Sequence, residues 1–311
     1  MFPSIIVRAY NEEAHLGRLL EGILQQTIKD VEIILVDSGS TDGTLAVARR
    51  YPVRIVSIPP EEFTFGRSLN RGLQAATGDL AVIASAHVYP VYPDWLERLL
   101  QPFSDPQVAL VYGRQSSVSH FSERRVWAGW FPPESNPRQF HPFCNNANAA
   151  VRRRLWEQNP YDETLTGLED LAWAKWAIDQ GRCLAYSAEA EIVHVHAETP
   201  RKIYNRFRRE AIAFKRIFPH EKFGMGKFLK LSVSNIAGDL WQAALERQLG
   251  PNWRSIFWYR IIQFWGAYQG YRYGGPVTRQ LIQRFYYPGK LPAADQALRP
   301  VEPIRYNEIQ E

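Results

Sequence analysis

The sequence predicts an α/β fold: a Rossmann-like, mostly parallel sheet flanked by helices, with a helical C-terminal extension. Three observations predict it. Short apolar, β-branched runs alternate with segments of helical periodicity through the first third of the chain. Polar turns fall where those runs end, which is where open parallel sheets bind ligands. From Thr199 onward the pattern becomes helical.

Each element follows in order. Ser4-Ile5-Ile6-Val7 is an unbroken apolar run, as expected of a parallel strand buried on both faces. The polar turn Arg8 to Glu13 follows, and then Leu16, Leu19, Leu20, Ile23 and Leu24 recur at helical spacing. Val31 to Val36 is a second strand. The turn Asp37-Ser38-Gly39-Ser40-Thr41-Asp42-Gly43 separates it from a helix over Thr44 to Arg50. Val53 to Ile58 is a third strand, Arg67 to Ala76 a helix, and Leu80 to Ala84 a fourth strand. Val108 to Tyr112 is another strand. The polar and aromatic stretch Gln115 to Pro142 reads as an active-site loop or lid. Thr166 to Gln180 reads as a helix and Ile192 to His196 as a strand. Thr199-Pro200 supplies an N-cap and a first-turn proline. Ile203, Phe207, Ala211 and Phe214 then form an apolar stripe, and a further aromatic segment spans Trp253 to Tyr273. The expected organisation is an α/β domain over residues 1–198, a helical extension over 199–290 and an irregular tail over 291–311.

Composition narrows the function. The 311 residues are 45% hydrophobic and 22% charged, the balance of a soluble globular chain. A net charge of +5 suits an anionic partner such as a nucleotide diphosphate or an anionic lipid surface. Nucleic acid is not expected, because no reading motif accompanies the modest charge. The only cysteines, Cys144 and Cys183, exclude a disulfide framework and point to the cytoplasm. No leader pattern and no membrane-spanning run is read, so a cytoplasmic chain is expected, peripheral at most to the inner face of the membrane. A dinucleotide oxidoreductase, a P-loop phosphotransferase and a serine hydrolase each lack their glycine-rich or nucleophile motif. In the C-terminal part, Arg201, Lys202, Arg206, Arg208, Arg209, Lys215 and Arg216 crowd one helix. Trp253, Phe257, Trp258, Phe264 and Trp265 follow. This suits a membrane-surface contact or a packed homodimer face.

The chemistry is concentrated in paired turns. Arg8-Ala9-Tyr10-Asn11-Glu12-Glu13 follows strand one and Asp37 to Asp42 follows strand two. A strand-end aspartate accepts from a base N–H or ribose hydroxyls, and N–H groups at a helix start favour anions. Ordinary capping by Thr41 and Asp42 competes with that reading. Further along stand Phe65-Gly66-Arg67-Ser68-Leu69-Asn70-Arg71-Gly72, Ala76-Thr77-Gly78-Asp79, Asn145-Asn146-Ala147-Asn148-Ala149-Ala150 and Gly167-Leu168-Glu169-Asp170-Leu171-Ala172-Trp173.

With these motifs in this order, the first two-thirds of the chain resembles the family 2 glycosyltransferases of the GT-A fold. The resemblance implies transfer of a sugar, with inversion, from a UDP- or dTDP-sugar donor to a hydroxyl of a glycan or glycolipid. It implies nucleotide contacts from Arg8, Tyr10, Glu12 and Asp37, with Ser85 and Ala86 at the fourth strand end. It places Arg67 near the diphosphate or sugar, and makes Asp170 the base that deprotonates the acceptor. Glu169 either shares in catalysis or closes a capping box with Thr166. Asn145, Asn146 and Asn148 read as sugar or acceptor contacts, or as a turn.

One departure stands out. Where the family carries an Asp-x-Asp metal motif, this chain has Ser85-Ala86-His87. Three readings compete. His87 and His196 could ligate a divalent metal, Mn²⁺ more readily than Mg²⁺. Alternation sends His194 to the other strand face, where a hydrogen-bonded structural role is expected. Arginines such as Arg67, Arg206 or Arg209 could neutralise the diphosphate without a metal. A binding-only relative is the third reading.

Overall fold

The computed structural model describes residues 2–117, 120–195, 199–272 and 301–306. In chain order the first half holds β1 (Pro3–Ala9), α1 (Glu13–Leu24), β2 (Glu32–Asp37), α2 (Thr44–Ala48), β3 (Arg54–Ser57), α3 (Phe65–Ala75), β4 (Leu80–Ser85), β5 (Val88–Pro90) and α4 (Trp95–Leu100). Then come β6 (Val108–Ser117), α5 (Phe121–Trp130), β7 (Asn136–Gln139), β8 (Asn148–Arg152), α6 (Arg153–Gln158), α7 (Glu169–Asp179) and β9 (Cys183–His194). Three long helices follow: α8 (Pro200–Ile217), α9 (Met225–Leu245) and α10 (Leu249–Tyr271).

The strands form one sheet in the order β3-β2-β1-β4-β8-β6-β9-β5, with β7 paired to β9. The first four are mutually parallel, β8 runs antiparallel to both neighbours, and β6 and β9 are parallel. Alternation along the strands splits the core into two layers. Ile5 and Val7 meet Leu16, Leu19 and Leu20 of α1 and Trp95 and Leu99 of α4 on one face. Ile6 and Ile34 meet Leu69 and Leu73 of α3, Trp127 of α5 and Trp173 of α7 on the other. Helices therefore cover both faces, as a GT-A-type sheet requires.

The middle of the chain corrects the expected loop or lid. Within Gln115 to Pro142 lie the end of β6, the ten-residue helix α5, and β7. The strand expected at Ile192 is the end of a twelve-residue strand that begins at Cys183. The Thr166–Glu169 capping box does not form. Leu168, not Thr166, precedes the first turn of α7, in the left-handed region at φ 57°, ψ 28°. The Thr166 hydroxyl instead donates to the Arg209 carbonyl of α8 at 2.9 Å. Thr199 does cap α8, its hydroxyl accepting from the Lys202 N–H.

The C-terminal helices are seated on the sheet domain. Leu171 of α7 packs with Phe214 of α8, Leu231 of α9 and Phe264 of α10. Helices α8 and α10 approach closely at two glycines. A Cβ on Gly266 would stand 2.7 Å from the Tyr204 carbonyl oxygen, and one on Gly270 2.5 Å from that of Arg208. Between α9 and α10, Asp239 takes Arg260 in a bidentate pair, at 2.8 and 3.1 Å. Both side chains are buried, at 0% and 2% exposure. The same carboxylate takes Arg125 of α5 at 2.7 Å, and Arg260 also donates to the Ser122 carbonyl at 3.3 Å. Residues 301–306 contain no helix or strand. They return to the sheet domain, where the Ile304 N–H donates to the Val91 carbonyl and Tyr306 packs edge-on to Tyr89. Cys144 and Cys183 are free and buried. Among the described residues no helix is long and apolar enough to cross a membrane.

Candidate active site

The site is built on strand ends. The turns after β1 and β2 are laced together through Asn11, which sits in the left-handed region at φ 56°. Its side-chain oxygen accepts from the Thr41 N–H at 2.8 Å, and its own N–H donates to the Ser40 hydroxyl at 2.9 Å. Asp42 accepts from the Glu13 N–H, and Glu13 accepts from the Gly43 N–H. Asp37 is buried and accepts from the N–H groups of Gly39 and Ser40 in its own turn. Tyr10 is 56% exposed. Neither Tyr10 nor Asp37 lines the cleft described next.

That cleft, of about 1170 Å³ including its open part, lies beyond the ends of β1 and β4. Arg8, Phe65, Ser85, His87, Asn145, Asn146, Glu169 and Asp170 line it from the sheet domain. Lys202, Arg206 and Arg209 line it from α8. The structure thus gathers Arg8, Ser85, His87, two of the three asparagines and both carboxylates expected from the sequence. Phe65, Leu168 and Lys202 join the lining without a chemical signal of their own in the sequence: Phe65 and Leu168 are apolar members of the Phe65 to Gly72 and Gly167 to Trp173 motifs, and Lys202 belongs to a basic run whose charge suggests a surface. Glu12 stands behind His87, with its Oε1 2.7 Å from the His87 Nδ1. The His87 ring stacks on that of His194, centroids 4.9 Å apart. The His194 Nδ1 in turn lies 2.9 Å from the Gln115 Oε1.

Two expected residues point elsewhere. Arg67 pairs with Glu163 at 2.7 Å and Glu62 at 3.7 Å, away from the cleft. Asn148 is fully buried, accepting from the Trp95 indole and donating to the carbonyls of Arg114 and Ala190. His196 lies outside the described residues.

Asp170 is partly exposed to the cleft and enclosed elsewhere. Its two oxygens accept from the N–H groups of Leu171 at 2.8 Å and Asn146 at 3.1 Å. Burial first, and then the neighbouring charge of Glu169, push its carboxyl up to about 7, against those two hydrogen bonds and Arg8. Glu169 is held by Arg8, with 3.4 Å between Oε1 and Nη1. The Arg8 and Arg209 guanidiniums also share the Phe65 ring, at 5.4 and 4.5 Å from its centroid. The cleft leaves several buried polar atoms without a partner: the Arg8 Nε, the Arg209 Nε and both side-chain atoms of Asn146, a residue only 3% exposed. Buried polar atoms in native proteins nearly always find a partner, so this set marks the polar side of the cleft.

A divalent metal is a poorer fit to the described residues. The end of β4 offers a serine hydroxyl, an alanine and one imidazole whose Nδ1 already faces Glu12. Among the described residues no group of three or more His, Cys, Asp or Glu is placed to hold a metal ion. Hard divalent cations prefer several oxygen ligands, usually with carboxylates among them. No step is therefore assigned to a metal.

Residues 4–159, half of the chain, match the family "Glycosyl transferase family 2". The chain is similar to the O-antigen chain rhamnosyltransferase WbaN of Salmonella anatum, 30% identical over 218 residues, covering 66% of this chain and 69% of that one. It is likewise similar to the O-antigen chain rhamnosyltransferase RfbN of Salmonella typhimurium strain LT2, at 28% identity and the same coverage. Among solved structures it resembles the mannosyltransferase PcManGT from Pyrobaculum calidifontis, in complex with GDP-Man and Mn²⁺. That match has a TM-score of 0.56 and 23% identity, and covers 86% of this chain and 84% of that one.

Proposed function

The chain belongs to glycosyl transferase family 2, and from that premise we propose that it moves a hexosyl group, with inversion, from a UDP- or dTDP-sugar to a hydroxyl of a glycan or glycolipid. The observation that carries this reading is Asp170. Its carboxyl, raised to about 7, stands beside buried polar atoms that lack partners. A base with a pKa near the working pH takes up a proton readily while a substantial fraction of it stays ionised.

In this reading the acceptor oxygen attacks the anomeric carbon as Asp170 takes its proton. The bond from that carbon to the diphosphate oxygen breaks, and the nucleoside diphosphate leaves with the electron pair. Lys202 and Arg209, on the α8 side of the cleft, face the charge that develops on the diphosphate. Arg8 holds Glu169 and so limits the repulsion on Asp170. The amide of Asn146 meets hydroxyls of the sugar. Rhamnosyltransferase relatives support a deoxysugar donor such as a dTDP-sugar. The second reading of the diphosphate contact, a metal held by His87 and His196, is supported by the Mn²⁺ in the mannosyltransferase complex. Exposed Trp241, Trp253 and Phe257 on α9 and α10 support a surface role for the extension, toward a membrane-linked acceptor or a second copy.

Asp170→Asn tests the assignment. Transfer should fall at least about 10²-fold, with donor binding, read as a rise in Tm, retained. Unchanged turnover overturns the base. Donor binding by the native chain without transfer to any acceptor selects the runner-up, a non-catalytic nucleotide-sugar-binding relative.

A further inference from the structure

We propose that α5 and the C-terminal helices together form a second, aromatic pocket that holds a neutral pyranose of the acceptor, with one hydroxyl delivered to Asp170. The proposal rests on the transferase reading above and extends it to the acceptor. Asp170 lines two cavities. One is the cationic cleft. The other, about 750 Å³ including its open part, is more enclosed. The two cavities share Asn145, Leu168, Asp170, His194, Arg206 and Glu210, and meet at Asp170.

The walls of the second cavity differ in kind from those of the first. Trp127 and Trp130 come from α5, Phe143 from the segment before β8, Phe207 from α8 and Tyr259 from α10. The C–H face of a pyranose is weakly polar and packs well on an aromatic face, while its hydroxyls need polar partners at the rim. Asp170, Asn145 and Glu210 stand there. Among the described residues Arg206 is the one arginine or lysine in the lining, beside the imidazole of His194, and its guanidinium is engaged by Glu123 at 3.0 Å and Tyr259 at 3.4 Å. A diphosphate therefore has its cations in the first cavity. Arg8, Lys202 and Arg209 line only the first cavity, so an acidic sugar meets them there and not in the second. A neutral pyranose is what remains.

The pocket is held open from the extension side. Arg125 to Asp239, Arg260 to the Ser122 carbonyl and Arg206 to Glu123 tie α5 to α9, α10 and α8 in turn. The extension thus supplies one wall and fixes another.

The test uses the full chain with saturating nucleotide and three probes: methyl glucopyranoside, methyl rhamnopyranoside and methyl glucuronide. Binding is followed by ligand-observed NMR. The expected result is binding of at least one neutral glycoside and none of the glucuronide. Trp130→Ala should weaken that binding about tenfold or more, and Trp130→Phe by much less. Phe207→Leu, on the opposite wall, should weaken it as well, which guards against a folding defect in α5. Donor-induced stabilisation should be unchanged in all three variants. Failure of every neutral glycoside to bind overturns the pocket, as does binding that Trp130→Ala and Phe207→Leu both leave intact. Failure of the transferase reading looks different: glycoside binding persists in the native chain and in Asp170→Asn, but no sugar is transferred by either.

Discussion

Arg8, at the end of the first strand, holds Glu169 at the start of α7 across 161 residues of sequence, with 3.4 Å between their charged atoms. Both side chains are largely buried, so neither charge is well solvated without the other. Arg8→Ala should lower stability by about 1–3 kcal/mol, read by urea denaturation. Adding Glu169→Gln should recover part of that loss, because the stranded carboxylate is then removed. Additive losses would mean that the two side chains do not interact.

The pH dependence of turnover follows from the same neighbourhood. Asp170 acts only when ionised, so kcat should rise with pH and level off above about 7. Glu169→Gln removes a charge that raises the Asp170 pKa and leaves Arg8 to lower it further. The acid limb should then move to lower pH. A limb that stays in place would assign it to another group.

Stability should respond with the opposite sense. The folded-state pKa of Asp170 lies above its unfolded value, so the fold binds the extra proton. Its contribution is therefore present at acid pH and is lost as pH rises from about 4 through about 7. Asp170→Asn is free of that loss. The Tm of the variant minus that of the native chain should grow between about pH 5 and about pH 8. A constant difference would contradict the raised pKa.

How the diphosphate is neutralised can be read from thermal shifts with UDP and dTDP in EDTA, Mn²⁺ or Mg²⁺. With Lys202 and Arg209 in the role, the nucleotide-induced rise in Tm survives EDTA, and Arg209→Met reduces it. A rise that requires Mn²⁺ and is abolished by His87→Ala would assign the role to a metal instead.

Much of this arrangement is legible in the sequence, for a physical reason. Strands buried on both faces must be unbroken apolar runs, so β1, β2 and β4 announce themselves, and the turns that follow mark the site. What was not legible depends on partners remote in sequence. Asn148 reads as one of three similar amides, and only the fold shows its side chain spent on Trp95, Arg114 and Ala190. Arg67 reads as a phosphate ligand until Glu163, 96 residues on, pairs with it. The Thr166–Glu169 box is locally sound. It loses to tertiary packing, because α8 brings the Arg209 carbonyl to the Thr166 hydroxyl. Helix α5 is obscured because its arginines and glutamate, polar in sequence, face the extension and pair there.

The glycine pair of α10 gives a prediction about reach. Any side chain at Gly270 meets the Arg208 carbonyl, so Gly270→Leu must push α8 outward. The overpacking should cost about 1–3 kcal/mol. Because α8 carries Lys202 and Arg209, donor binding should weaken as well. Lost stability with donor affinity intact would show that α8 adjusts without moving its cations.

Asp239 has a consequence for recombination. One buried carboxylate of the extension holds a guanidinium from the middle of the chain and another from its last long helix. The border near residue 198 is therefore not a seam at which a relative's extension can be grafted. A chimera joined there would inherit Arg125 from one parent and its counterion from the other. Unless the donor carried an acid at the same place, it would bury an unmatched cation beside the wall of the pocket. Acceptor preference and the C-terminal helices would then have to be inherited together, with α5 as part of the transplanted unit.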